Sequence, residues 1–434
     1  MIKKPFEEVI TSNNLKEINR VNLAENKNYK KYPDGGNLFK EKKDFRVIAA
    51  KQSYLYKEGT EKKEGKGIHK GSIYDGNYIG NKWGGKYLRA PDIYFTILEK
   101  GKGKLVKLGD IAKIKRGFTT GSNDFFYVED LKKQKFKFTD IKVRIVNNRG
   151  FNSLEEIKKA ELSIVKPSKY KKGDKDYKLF LIEEKYLKPV IKSPRELKSI
   201  VVREEDLKYK VFMCNKSKKD LKNNFALDYI KWGENDKEWA DAKTGRLNPP
   251  YKRPTCKSRK YWWELTKQKK ALCSYPMVNN ERLLFCKNES IYNDANLVGI
   301  YPNDNFDFNL IYSLNSTYNM INMELLGIAN LGEGAIKQNP IYIKRSIILN
   351  PKLIPVKTIR YLNRTIGSIF TELGFNPDKP IRSQEPHPLF DRAALDKIVF
   401  DELGLTEEER KEVYWSVAEL VKGRLDKAKS LKKK

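Results

Sequence analysis

The sequence has few of the residues that zinc sites and nucleophilic active sites need. Its 434 residues include only two histidines, His69 and His387, and four cysteines that form no CxxC pair. Structural zinc requires closely spaced Cys and His ligands, and a disulfide framework requires paired cysteines, so neither is expected. The scarcity of histidine also disfavours Ser-His-Asp and Cys-His hydrolases. We therefore predict no metal ligand in this chain, and no catalytic residue of these two hydrolase types.

Long hydrophobic runs are missing as well. No apolar run approaches the roughly 18 residues that a membrane-spanning helix needs, and the start of the chain lacks the apolar core of an export signal. A membrane-surface protein would need a basic amphipathic helix with a continuous apolar face, and we find none. The sequence predicts a soluble cytoplasmic protein with no membrane partner.

Acidic residues are too few to balance the basic ones. The chain has 88 Lys+Arg against 56 Asp+Glu, a net charge of +32, and 12% of its residues are aromatic. From Leu389 to the end there are 11 Lys+Arg and 10 Asp+Glu, a net of +1, so residues 1–388 carry the remaining +31. So many aromatic residues indicate a folded chain, and a positive field of this size attracts polyanions. Nucleic acid is the favoured partner, because a thermophilic composition would raise Glu together with Lys.

The pattern along the chain predicts an α+β protein in three parts. Residues 1–100 are punctuated by glycine and charge. Residues 101–386 alternate short aliphatic and aromatic runs with polar turns, which is typical of a mixed sheet. Residues 387–434 have helical periodicity: Gly404 ends one helix, and Thr406 with Glu409 forms a capping box for the next.

Residues 108–127 (LGDIAKIKRGFTTGSNDFFY) form the most specific segment. They predict a short helix or turn, then a strand, then a Gly-Thr-Thr-Gly-Ser-Asn loop. Such a loop, with Lys115 and Arg116 beside it, can bring backbone N–H groups and hydroxyls to a phosphate. An ordinary glycine turn above buried aromatic residues explains the same pattern equally well.

A second basic segment, residues 252–263 (KRPTCKSRKYWW), interleaves five cations with three aromatic residues. Arginine and lysine contact phosphates and base edges, while the rings hold the local fold. At least one of Trp262 and Trp263 is expected in the core.

Two further strings invite an enzymatic interpretation. Asn248-Pro249-Pro250-Tyr251 has the letters of the loop that binds a flipped base in amino-methylating DNA methyltransferases. A polar, turn-like stretch precedes it instead of a strand, which favours a chance match. Asp34 and Glu64, with Lys66, could hold a divalent ion for a nuclease, but both fall in polar, glycine-rich stretches.

Five strings, in order, resemble the C-terminal half of adenine-N6 DNA methyltransferases of type II restriction-modification systems. They are found in residues 86–98, 108–127, 186–197, 253–265 and 390–430. In that family a Rossmann-like domain binds S-adenosylmethionine, and the C-terminal half is the target recognition domain. The resemblance implies that residues 1–100 are a remnant of the catalytic domain, that 101–386 are the recognition domain and that 387–434 are C-terminal helices. The segment GFTTGSN is also similar to the opening of recognition domains in type I specificity subunits.

The resemblance implies a chain that recognises specific sequences in double-stranded DNA and binds no cofactor alone. S-adenosylmethionine and catalysis would belong to a methyltransferase catalytic domain or subunit acting with it. The residues expected to contact DNA are Lys115, Arg116, Thr119, Thr120, Ser122, Asn123, Arg253, Lys257, Arg259 and Lys260. Three alternatives stay open: a split methyltransferase active only in complex, a magnesium-dependent nuclease using Asp34 and Glu64, and a protein that binds single-stranded RNA.

Overall fold

The three-dimensional structure is a computed structural model. It describes residues 89–432, apart from residue 172 and the segments 241–245, 266–268, 330–333 and 356–361. Before residue 89 it describes only the backbone of five short strands, which are β1 (Lys30–Lys31), β2 (Leu38–Glu41), β3 (Arg46–Ala49), β4 (Thr60–Glu61) and β5 (Asn77–Tyr78). The Rossmann-like remnant predicted for residues 1–100 therefore lies mostly outside the described residues.

The described part of the chain alternates strands and helices. The strands are β6 (Leu105–Lys107), β7 (Ala112–Arg116), β8 (Tyr127–Asp130), β9 (Leu162–Pro167), β10 (Phe180–Glu183), β11 (Leu187–Ile191), β12 (Val201–Val202), β13 (Lys210–Phe212), β14 (Cys273–Pro276), β15 (Val278–Asn279), β16 (Cys286–Asn288), β17 (Tyr292–Asn293), β18 (Leu297–Pro302), β19 (Ile336–Lys337) and β20 (Ile347–Leu349). The α-helices are α1 (Asp92–Lys100), α2 (Leu108–Ile111), α3 (Asn123–Phe126), α4 (Phe138–Lys142), α5 (Leu154–Lys159), α6 (Phe225–Gly233), α7 (Pro254–Lys257), α8 (Phe308–Asn315), α9 (Thr317–Leu326), α10 (Pro340–Ile343), α11 (Ile369–Leu373), α12 (Phe390–Leu403) and α13 (Glu407–Lys432).

Two mixed sheets organise these elements, as the α+β prediction requires. One has five strands in the order β12-β16-β14-β18-β7, with only β12 and β16 parallel. The other has six strands in the order β10-β9-β8-β13-β11-β17, with only β11 and β17 parallel. The predicted succession of short helix, strand and loop in residues 108–122 is confirmed by α2, β7 and the turn that follows.

Each sheet has its own core. The five-stranded sheet packs with α1, α8, α9, α12 and α13, and we call this body the five-stranded lobe. The six-stranded sheet packs with α6 over buried aromatic residues of segments 118–190 and 211–265, the six-stranded lobe. A smaller core covers the opposite face of this second sheet. Along β10, Phe180 and Ile182 enter one core and Leu181 the other, because side chains alternate across a strand.

The predicted part boundaries fall within the first of these cores. Ile97 of α1 and Val399 of α12 are fully buried in the same cluster as Ile300 of β18. The segments on either side of residues 100 and 386 therefore share one core.

The C-terminal helices are built as the sequence predicts. Gly404 ends α12 with a φ of +65°, a left-handed conformation that glycine adopts at little cost. The Thr406 hydroxyl accepts from the Glu409 N–H at 3.3 Å, and the Glu409 carboxylate accepts from the Thr406 N–H at 2.8 Å. This capping box is confirmed, and the apolar stripe of α13 is buried at Val413, Val417 and Val421.

The two lobes meet where β7 leads into the six-stranded lobe. The Phe118 N–H donates to the Asn293 carbonyl at 3.0 Å, and Gly117 lies so close that a Cβ would be 2.2 Å from the Asp294 oxygen. The Tyr127 hydroxyl donates to the buried Asp294 carboxylate. This junction fixes the start of the predicted binding loop relative to both sheets.

Candidate nucleic-acid interface

The two segments predicted to bind DNA are far apart in sequence and in contact in the structure. The loop after β7 packs on α7 through Gly121, which has a φ of +77°. A Cβ on Gly121 would lie 2.7 Å from Thr255 Cβ and 3.1 Å from Cys256 Sγ. Glycine alone suits both the left-handed backbone and this close approach. Residues 115–123 and 253–260 therefore form one surface, which we call the paired-segment surface.

Arg259 connects the two segments by donating to the loop backbone. Its Nη2 atom is 3.1 Å from the carbonyl oxygen of Thr119 and 2.8 Å from the carbonyl oxygen of Thr120. Its guanidinium lies 5.3 Å from the centroid of the Phe126 ring. Burial lowers the pKa of Arg259, but a guanidinium keeps its charge at neutral pH. Arg259 thus holds the loop in place from below.

Arg253 makes the second connection, through a bidentate ion pair with Asp124. The two guanidinium nitrogens are 2.6 and 2.7 Å from the two carboxylate oxygens. The Nε and Nη2 atoms of Arg253 also donate to the Asn248 carbonyl, at 3.2 and 3.0 Å. Planar, two-point contacts of this kind combine strength with fixed geometry.

Replacing Arg253 should destabilise the protein more than replacing its neighbour Lys252. The Arg253 side chain is 18% exposed, whereas Lys252, paired with Asp236, is 49% exposed. We expect Arg253→Met to lower the free energy of unfolding by about 1–3 kcal/mol, because Asp124 loses its partner. Lys252→Met should lower it much less, because solvent screens the exposed pair of Lys252 and Asp236. Urea titration of both variants measures the difference. Equal losses would mean that Arg253 does not brace the loop.

The loop hydroxyls are divided between the interior and the solvent. Thr120 and Ser122 are buried: the Thr120 hydroxyl accepts from the Ser122 N–H at 3.2 Å, and the Ser122 hydroxyl donates to Asp124 at 2.8 Å. Thr119 and Asn123 are exposed. Contacts of Thr120 and Ser122 with DNA remain a prediction, and the structure gives both side chains partners within the protein.

The predicted cations differ in the same way. Arg116 donates through Nε to the Ala295 carbonyl at 2.5 Å. Lys115 is exposed on β7, the edge strand, opposite Gly299. Lys257 and Lys260 are exposed at the end of α7 and just after it. Among the residues that the structure describes, no carboxylate pairs with these three lysines, so their charges are available to a polyanion.

Aromatic side chains support this surface from beneath. Phe125 is fully buried, with ring centroids 4.7 Å from Tyr229 and 4.8 Å from Trp262. Trp263 is buried as expected, while Trp262 is half-buried and its Nε1 donates to Glu234 at 2.8 Å. The buried-aromatic interpretation of residues 125–127 is therefore confirmed, and it accompanies a surface loop rather than excluding one.

Most of the Asn248-Pro249-Pro250-Tyr251 string packs against the protein. Pro249 and Pro250 are buried, and the Tyr251 hydroxyl donates to Asp236 at 3.0 Å. Only an isolated bridge between Ala240 and Leu247 precedes it, across the undescribed residues 241–245. The chance-match interpretation agrees with this geometry.

Asp124 is the residue of this surface that the sequence analysis missed. It is the only carboxylate that contacts either arginine brace among the described residues, and it follows a loop without acids. Residues 113–123 and 252–260 contain eight cations and no Asp or Glu. That imbalance is a signal: the first carboxylate after such a loop is the natural partner of a partly buried arginine.

Other predicted features are tested only in part. Asp34 and Glu64 lie outside the described residues. Within the described part, no group of three or more His, Cys, Asp or Glu residues is arranged to hold a metal ion. All four cysteines are free and buried. None of the described helices is both long and apolar enough to cross a membrane.

Comparisons with known proteins find structural similarity. No model of a known protein family matches the chain, and no curated protein sequence matches it. The fold is similar to the crystal structure of the type IIG restriction endonuclease BpuSI, with a TM-score of 0.46 and 12% sequence identity. The similarity covers 88% of this chain and 36% of the BpuSI chain, so this chain spans about a third of the length of BpuSI.

Proposed function

We propose that this chain is the sequence-specific DNA-recognition part of a type II restriction-modification adenine-N6 DNA methyltransferase. It acts with a catalytic domain or subunit that binds S-adenosylmethionine. The observation that carries the proposal is the paired-segment surface, where two segments of the sequence resemblance are in contact. Arg253 and Arg259 brace this surface, and its exposed members other than Pro254 are polar or cationic.

The surface suits a duplex because it offers two kinds of contact. Lys115, Lys257 and Lys260 present charges that no described carboxylate neutralises, and such charges contact phosphates. Thr119 and Asn123 are exposed, neutral hydrogen-bonding groups on a braced loop, and such groups read base edges. Affinity and sequence choice would therefore come from different residues of one surface.

The glycine pair Gly101 and Gly103 does not fit the loop that binds S-adenosylmethionine in Rossmann-like domains. A cofactor loop of the Rossmann type follows a strand and leads into a helix. Gly101 and Gly103 instead follow helix α1 and lead into strand β6. We therefore assign cofactor binding and methyl transfer to the partner and derive no catalytic step from this chain.

Selection from a random duplex library tests the proposal. The purified chain is mixed with the library at two salt concentrations, and the retained DNA is sequenced. A short motif that persists at the higher salt supports base reading. Retention that is independent of sequence and collapses with salt would contradict it, because the +32 charge alone would then explain binding.

Removing three charges from the surface should weaken binding and its salt dependence together. We expect the combined variant Lys115→Gln, Lys257→Gln and Lys260→Gln to reduce the slope of log K against log salt by about 3, because each phosphate contact contributes about 0.9. Affinity near 0.1 M salt should fall at least on the order of tenfold. Fluorescence anisotropy with a labelled duplex measures both.

The matched control removes the same charge from the C-terminal helices. Lys397, Lys411 and Lys427 are exposed on α12 and α13. If their replacement by glutamine changes the slope as much as the first variant does, binding depends on net charge and not on the paired-segment surface.

A further inference from the structure

Asn123 is an exposed side chain whose orientation is fixed by a buried one. Its Oδ1 atom accepts from the hydroxyl of Thr120, which is fully buried. The hydroxyl oxygen of Thr120 in turn accepts from the Ser122 N–H at 3.2 Å. The hydroxyl proton is directed to Oδ1, Asn123 is exposed, and no described residue accepts from its amide nitrogen.

The backbone that carries Asn123 is fixed on both sides. The Ser168 hydroxyl donates to the Asn123 carbonyl at 2.7 Å, and the next residue, Asp124, is held by Arg253. Before it, Arg259 holds the carbonyl of Thr120, and Gly121 is pressed against Thr255. An exposed amide on such a frame loses little freedom on binding, which favours specific contacts.

The chemistry of this amide selects a base edge rather than a phosphate. A phosphate needs only donors, and the exposed lysines of the same surface supply them with charge. The amide adds an acceptor, because Oδ1 keeps one lone pair after binding Thr120. Adenine presents N7 as acceptor and its 6-amino group as donor in the major groove, which one Asn side chain matches with two hydrogen bonds.

We propose that Asn123 reads one adenine of the target through its major-groove edge, and that Thr120 is the positioning residue that orients it. The inference rests on the proposed function, since it requires a DNA target. It adds the base that is read and the two atoms that read it, Nδ2 to adenine N7 and Oδ1 to the 6-amino group.

The experiment begins with the motif selected by the unaltered chain, followed by competition with every single-base change. Asn123→Ala should abolish the preference at one adenine, from about tenfold or more to about twofold or less, and leave the other positions unchanged. Replacing that adenine by 7-deazaadenine should weaken DNA binding by the unaltered chain and leave DNA binding by Asn123→Ala unchanged. Asn223→Ala, at another exposed asparagine, is the matched control and should retain the whole preference.

A second experiment tests whether Thr120 orients Asn123 or only stabilises the fold. Thr120→Val removes the hydroxyl with little change in volume and should weaken the preference at the same adenine while overall affinity persists. Thr120→Ser restores the hydroxyl and should restore the preference. Thermal unfolding of each variant shows whether the fold is intact.

The possible failures are distinguishable. If the unaltered chain selects no motif, the proposed function fails, and this inference fails with it. If it selects a motif and Asn123→Ala selects the same one, loses affinity equally for all sequences, or changes a position that is not adenine, this inference is overturned and the proposed function stands.

Discussion

Replacing Gly117 by alanine is expected to destabilise the protein by about 3 kcal/mol or more. A Cβ at this position would lie 2.2 Å from the Asp294 oxygen and 2.3 Å from the Asn293 oxygen. Both are backbone atoms, and the Asn293 carbonyl is already bonded to the Phe118 N–H, so neither can move aside cheaply. Urea unfolding of Gly117→Ala measures the loss.

The matched control is Gly423, which lies within α13. A Cβ there would meet nothing within 4 Å. Gly423→Ala should therefore stabilise the protein by up to about 1 kcal/mol, because alanine is the better helix former. If both variants changed stability alike, the close approach at the lobe junction would not be the cause.

Replacing Arg424 by alanine should cost about 3–5 kcal/mol, because it would leave the buried Glu324 carboxylate without its counter-ion. The Arg424 and Glu324 side chains are 4% and 2% exposed, and two hydrogen bonds of 3.0 and 2.9 Å join them. Arg424 also donates to the Asn280 carbonyl at 2.7 Å, so it secures α13 to two other segments. Chemical denaturation of Arg424→Ala measures the effect.

An exposed ion pair to the same helix provides the comparison. Arg382 is 47% exposed and pairs with Glu412 and Glu419 of α13. We expect Arg382→Ala to cost no more than about 1 kcal/mol, since solvent screens exposed pairs. A cost close to that of Arg424→Ala would contradict the importance assigned to burial.

The sequence alone predicted the local features of the fold well. Thr406 and Glu409 form the expected capping box, Gly404 ends the preceding helix, and a strand follows the short helix at residues 108–111. Each depends on residues within about one turn of each other, where propensity and hydrogen bonding decide the structure.

The sequence did not reveal which distant strands and helices would lie next to each other. Nothing local indicates that β18 lies between β14 and β7, or that helices beyond residue 387 share a core with α1. At the candidate interface, the sequence identified both segments. It did not reveal that Arg253 and Arg259 donate their hydrogen bonds to other groups of the protein. The partner Asp124 is 129 residues away, and charge type alone does not reveal such a distance.

The distance along the chain between the two halves of this surface also bears on the order of folding. Arg259 contacts Thr119 across 140 residues, and most of the six-stranded sheet lies between them. Closing so long a loop is entropically costly until the intervening strands have paired. We therefore expect the braced loop to form late, so that a partly folded or still-growing chain has its positive charge before it has the fixed geometry of the paired-segment surface.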